Sequence, residues 1–178
     1  MKTIIISIVI ELLVLSSSIF SQQDIYNCTD RAHVWAIKKN QTGSGHTEVH
    51  IMNRNSVYQS YIVNVATPLQ QIYDGQIQFA ASDYSSDFYS QSIQCLWAIV
   101  KWSTGTGSTE VHIMDPRTNF TTFINETGTV LPYTNNDYEF LAGYYLGDNV
   151  CDLWAIKKSN TVSGKFELQI LSGILNFQ

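Results

Sequence analysis

The segment His46-Thr47-Glu48-Val49-His50 sets two imidazoles and a carboxylate at alternate positions. On an extended strand, residues at i, i+2 and i+4 share a face, so these three side chains could converge as a transition-metal ligand set does. Two related segments of the chain keep the glutamate but only one histidine between them. Ser108 and Lys165 stand for His46, and His112 and Gln169 for His50. A polar strand face explains that pattern more simply than a metal centre, and the helical zinc spacing H-E-x-x-H is absent from the sequence. No spacing singles out two carboxylates as a glycosidase pair. A G-x-S-x-G elbow, a phosphate-binding glycine loop and a cysteine–histidine signature are missing as well. The sequence therefore assigns no catalytic residue and predicts a protein that is not an enzyme.

The aromatic residues and cysteines are more informative. Trp35, Trp97 and Trp154 each sit in an apolar Trp-Ala-Ile string, a context that favours burial over sugar stacking. Trp102 is different, because it follows Lys101 beside a glycine-rich stretch and has no counterpart elsewhere. It is the candidate for an exposed ligand contact. The three cysteines, Cys28, Cys95 and Cys151, allow at most one internal disulfide and leave one thiol over. Cys95 and Cys151 enter the same strand of successive repeats, so a Cys95–Cys151 bond is one option. Equivalent positions in neighbouring units are often beyond the reach of such a bond.

The elements that carry these residues are repeated. The strings VWAIKKNQTGSGHTEVHIM, LWAIVKWSTGTGSTEVHIM and LWAIKKSNTVSGKFELQIL begin at Val34, Leu96 and Leu153. A glutamate follows each tryptophan after thirteen residues (Glu48, Glu110, Glu167), and an aromatic follows after twenty-three (Tyr58, Phe120, Phe177). Each unit predicts a short apolar strand, a polar loop with glycines, and a second strand that alternates in and out, as in Glu48-Val49-His50-Ile51. A third strand is expected over 58–65 or 120–125, ahead of a turn near Pro68 or Pro132. A fourth is expected over 77–81 or 138–142. No helix is expected after the leader. The fold class is all-β, with three repeats forming β-propeller-like blades of four strands; a β-trefoil is the alternative.

Residues 1–21 predict a secretory leader. Lys2 opens it, residues 4–15 are mostly apolar, and Ser16, Ser17 and Ser18 precede the expected cut. Residues 22–178 then form the repeat domain, exported and extracellular. The apolar stretch is too short to span a bilayer, so no membrane insertion is expected. Asn27, Asn40, Asn119 and Asn125 each open an Asn-x-Thr sequon for N-glycosylation. The net charge of −5 argues against nucleic-acid partners, which demand basic side chains.

The run FLAGYYLGDNVCDLWAIKKS over 140–159 resembles the FG-GAP/VCBS repeats of integrin-like β-propellers. In that family a strand leads into an acidic D-x-N-x-D-G-x-x-D loop that holds calcium, and the next strand follows directly. The resemblance covers nearly all of 22–178. It implies a degenerate calcium loop at Asp83, Ser85 and Asp87, with Cys95 standing where the closing aspartate belongs. Before Trp154 only Asp148 and Asp152 match, and before Trp35 the places are held by Thr29 and His33. Ordinary polar turns are the preferred account, so calcium is at most weakly held and no other cofactor is implied. Fewer than three complete blades cannot close a ring, which predicts a homo-oligomer or completion by a partner. The function this implies is non-catalytic binding or adhesion towards extracellular glycans or proteins. A structural component of a coat or matrix is the alternative, and a glycan-active enzyme a distant third.

Overall fold

The computed structural model describes residues 33–84, 93–146 and 150–178. The leader at 1–21, Asn27, Cys28 and Thr29, the loop positions Ser85 and Asp87, and Asp148 lie outside the described residues. Among the described residues ten strands follow in chain order: β1 (Val34–Lys38), β2 (His46–Met52), β3 (Tyr61–Gln70), β4 (Ile77–Tyr84), β5 (Ile93–Val100), β6 (Ser108–Met114), β7 (Phe123–Pro132), β8 (Tyr138–Gly143), β9 (Asp152–Lys157) and β10 (Glu167–Leu171). Helical structure among the described residues is limited to single 3-10 turns of three residues. The chain is all-β. Its strands form three antiparallel meanders, which we call sheet 1 (β1–β3), sheet 2 (β4–β7) and sheet 3 (β8–β10).

The strand expected to end each unit in fact opens the following sheet. Ala80 of β4 opposes Trp97, and Leu141 of β8 opposes Trp154. The pattern of apolar residues shows that 77–81 is a strand but not which sheet it joins. Membership follows from burial: Ile77 and Phe79 are 7% and 4% exposed and pack with Leu96, Ala98 and Val100 of β5.

A second difference concerns the repeated aromatics. Tyr58 and Phe120 do not open the third strands, and Phe177 does not begin one. All three lie in the left-handed region, with φ of 64°, 61° and 64°, and each follows another left-handed residue, namely Val57, Asn119 or Asn176. The turn closes through N–H donation from Tyr58 to Asn53 O (2.9 Å), from Phe120 to Asp115 O (2.8 Å) and from Phe177 to Ser172 O (2.8 Å). Asparagine tolerates such φ values better than most residues, and this is the residue type found in two of the three turns.

The prolines also stand elsewhere than expected. Pro68 lies within β3 and Pro132 ends β7. In both strands the pairing slips, from Glu48↔Ala66 to His46↔Gln70 and from Glu110↔Gly128 to Ser108↔Pro132. A bulge releases residues from the ladder, and that is where a strand accepts proline.

Sheet 2 lies between the other two and is buried on both faces. Towards sheet 1 it presents Leu96, Ala98, Val100 and Met114, packed with Trp35, Ile37, Val49, Ile51 and Phe120. Towards sheet 3 it presents Trp97, Ile99, Val111 and Ile113, packed with Phe140, Leu153, Ala155, Leu171 and Phe177. This double burial accounts for the unbroken apolar run of β5, since alternation is needed only where one face meets water. The turn aromatics join the sheets. Phe120 meets Trp35 edge-on with centroids 5.5 Å apart, and Phe177 meets Trp97 in the same way at 5.6 Å. The second and third units thus set their turn aromatics against the tryptophan of the unit before.

Candidate functional site

The repeated glutamates brace the loops that lead into their own strands. Glu48 Oε1 accepts from Ser44 Oγ at 2.9 Å, Glu110 Oε1 from the Thr106 N–H at 2.9 Å, and Glu167 Oε1 from Ser163 N–H and Oγ at 3.2 and 2.9 Å. The glycine between partner and strand has a positive φ in every copy: +77° at Gly45, +76° at Gly107 and +66° at Gly164. The Ser/Thr-Gly-x-x-Glu spacing that encodes this brace is visible in the sequence, although the recurrence of the glutamate alone does not reveal it.

These contacts depress the carboxyl pKa values. The Ser44 hydroxyl holds Glu48 below the ordinary 4.5, and the Ser163 hydroxyl does so for Glu167. At Glu110 burial acts upward, and hydrogen bonds from Thr106 and His112 outweigh it. A carboxyl depressed in the folded state contributes stability that is complete above its unfolded value and is lost as pH falls through the folded one. The expected result is a thermal midpoint that is flat from about pH 7 to pH 5 and declines below about pH 4.5. Replacing all three glutamates with glutamine should make that decline shallower; an unchanged slope would show that the braces do not carry it.

The strand of histidines serves the sheet. His50 Nε2 lies 3.5 Å from Glu48 Oε2, and His112 Nε2 lies 3.0 Å from Glu110 Oε2. On its other side, His112 Nδ1 is 3.3 Å from Glu126 Oε1, close enough for charge attraction but not aligned as a hydrogen bond. His112 is 7% exposed and sits edge-on to Phe123. Among the described residues, no group of three or more His, Cys, Asp or Glu side chains is arranged to hold a metal ion.

Asp83 and Asp152, two of the acids considered above as calcium ligands, sit near buried thiols or backbone. Asp83 lies in β4 opposite Gln94, close enough to Cys95 and Cys151 for its charge to disfavour their thiolates. Asp152 is fully buried and takes three backbone N–H groups. Oδ2 accepts from Tyr145 and Leu146 at 3.0 and 3.1 Å, and Oδ1 from Gly173 at 3.1 Å. Cys95 and Cys151 are free thiols, not the disulfide that their repeat positions allow. Ser82 is the cross-strand partner of Cys95, and its Oγ is 3.1 Å from Cys151 Sγ, so a hydroxyl stands beside both. Burial pushes each thiol up to about 12, which leaves both protonated and unreactive at neutral pH.

Trp102 stands on a rim where three loops lock together. The Lys101 N–H donates to Gln76 O at 2.8 Å, Thr134 N–H donates to Lys101 O at 3.0 Å, and Gln76 Nε2 donates to Trp102 O at 2.7 Å. Lys101 is 6% exposed, spends one ammonium hydrogen bond on Asn136 Oδ1 (3.2 Å) and lies 5.6 Å from the centroid of the Trp102 ring. The ring itself is half-buried. Tyr133 flanks the same rim, 47% exposed, with its hydroxyl on Thr104 O at 3.4 Å. Close packing of the loops is enforced at Gly75, where a Cβ would fall 2.7 Å from Asn136 Oδ1. The equivalent rim position in the first repeat is Asn40, whose amide donates to Ile72 O at 2.9 Å. The third repeat has Ser159 there, bonded to Asp137.

The sequons differ in what their asparagines already do. Asn119 is exposed. Asn40 is engaged with Ile72, and Asn125 Nδ2 donates to Asn176 Oδ1 at 2.9 Å. No protein-family model, curated protein or solved structure matches this chain.

Proposed function

We propose that the chain is a secreted, non-catalytic binding protein of the FG-GAP/VCBS type, its three sheets acting as degenerate propeller blades and its rim recognising extracellular glycans. The observation that supports this reading is the Trp102 rim. An indole held on loops that are themselves hydrogen-bonded across sheets loses little freedom when a sugar ring stacks on it. Tyr133, exposed on the same rim, offers a second aromatic face with a hydroxyl at its tip, the kind of group that fixes a carbohydrate's orientation. The non-catalytic part rests on the carboxylates. Glu48, Glu110 and Glu167 brace loops, Asp115 binds Arg117, Asp137 binds Ser159 and Asn160, and Asp152 binds backbone.

A glycan array probed with the secreted protein tests the reading. Saturable binding to at least one glycan class is expected, and Trp102→Ala should weaken it about tenfold, as the loss of one aromatic stack does. The thermal midpoint should stay near that of the parent. Retention of full binding by Trp102→Ala moves recognition off this rim. No saturable binding to any glycan favours the coat or matrix role.

A further inference from the structure

Each sheet carries one face built on the same four positions. In sheet 1 these are Trp35, Ile37, Val49 and Ile51, covered by sheet 2; in sheet 2 they are Trp97, Ile99, Val111 and Ile113, covered by sheet 3. In sheet 3 they are Trp154, Ile156, Leu168 and Ile170, which cross-strand pairing places on one side, opposite to the Leu153, Ala155 and Leu171 that meet sheet 2. At the third of these positions Val49 and Val111 are 0% exposed, whereas Leu168 is 53% exposed. Leu141, cross-strand from Trp154, is 51% exposed and widens the same face.

The opposite end of the stack carries the complementary half. Sheet 2 meets sheet 1 through Leu96, Ala98, Val100 and Met114. Their repeat equivalents in sheet 1 are Val34, Ala36, Lys38 and Met52, on the face of β1 and β2 turned away from sheet 2, with the charge of Lys38 at its edge beside Glu48. The turn aromatics repeat the relation. Phe120 is set on Trp35 and Phe177 on Trp97. Tyr58 occupies the same left-handed position in the first repeat, and Trp154 is the corresponding acceptor in the third, with Tyr145 already on one side as Tyr84 is on Trp97.

We propose that sheet 3 of one copy receives sheet 1 of a second copy, head to tail, with Tyr58 of the incoming copy set edge-on against Trp154. The molecule makes this interface twice within itself, and its two ends present the two halves of a third. Because the halves differ, the contact is heterologous: it closes into a ring or grows as a filament. Two copies would bring six sheets together, within the four to eight of ring-shaped propellers. The inference rests on the sheet stacking and is independent of what the Trp102 rim binds.

Sedimentation velocity on the full secreted chain tests it, with two variants that place a charge on one half each: Leu168→Glu on the receiving face and Ala36→Glu on the incoming face. The parent should sediment as a dimer or as a concentration-dependent series. Either variant alone should be monomeric, its association weakened about a hundredfold or more. Mixed together they should form a one-to-one dimer and nothing larger, because each retains one competent face. Far-UV circular dichroism matching the parent shows that the variants fold. A parent that stays monomeric overturns the proposal, whether another macromolecule or solvent covers the face. So does either variant that still self-associates on its own, which would indicate a like-to-like contact, or a mixture of the two with no dimer.

Discussion

Replacing Phe177 with alanine is expected to lower the free energy of unfolding by about 3–5 kcal/mol, the usual cost of deleting a buried aromatic. The residue lies in a turn outside any strand, where substitutions are ordinarily mild, yet it is 0% exposed and lies against the fully buried Trp97. Its carbonyl also accepts the N–H of Val130 at 3.2 Å, within the bulge of β7 where no ladder partner is available. Urea denaturation followed by tryptophan fluorescence measures the effect, with native emission shifted to the red as water reaches Trp97. Leu175→Ala, two positions away and 62% exposed, serves as the control and should change stability by less than about 0.5 kcal/mol. Equal effects from the two substitutions would mean that the turn does not dock on sheet 2.

Asp152→Ala is expected to cost about 3 kcal/mol, because it removes three hydrogen bonds to a fully buried carboxylate from part-buried N–H groups, and each such bond is worth about 1 kcal/mol or more. The carboxylate ties the start of β9 to the chain after β8 and to Gly173 beyond β10. The fit around it is tight: a Cβ on Gly173 would fall 2.2 Å from Cys151 O. Asp152→Asn keeps one oxygen but aims an amide at N–H donors, so its cost should fall between parent and alanine. Chemical denaturation of the three proteins gives the order directly. An alanine variant as stable as the parent would show that water satisfies the freed donors.

Much of the architecture is legible from the repeat itself. The Trp-Ala-Ile strings and the alternating Glu-x-His strands become β1, β2, β5, β6, β9 and β10 with their expected faces. The assignment of 77–81 to the following sheet was not legible, because periodicity reports a strand and not its neighbour. The placement of Tyr58, Phe120 and Phe177 is hidden for a different reason. An aromatic before a β-rich stretch looks like strand, and only the left-handed pair that ends on it reveals a turn aimed at another sheet. The Trp102 rim is half legible. The unrepeated tryptophan stands out in the sequence, but the long-range bonds of Lys101 to Gln76 and Thr134 that hold it have no local signature.

The interlocking turns have a consequence for how the molecule comes apart. The turn aromatics of the second and third units each lean on the tryptophan before them, so each boundary between sheets is pinned by one ring pair. If sheet 3 melts, Phe177 leaves Trp97 and sheet 2 loses part of one core; if sheet 1 melts, Trp35 leaves Phe120 and sheet 2 loses part of the other. In repeat proteins, stability is shared between neighbours; here the middle sheet holds a share in both boundaries. Damage entering at either end of the stack would therefore be felt first in sheet 2, and only through it at the far end.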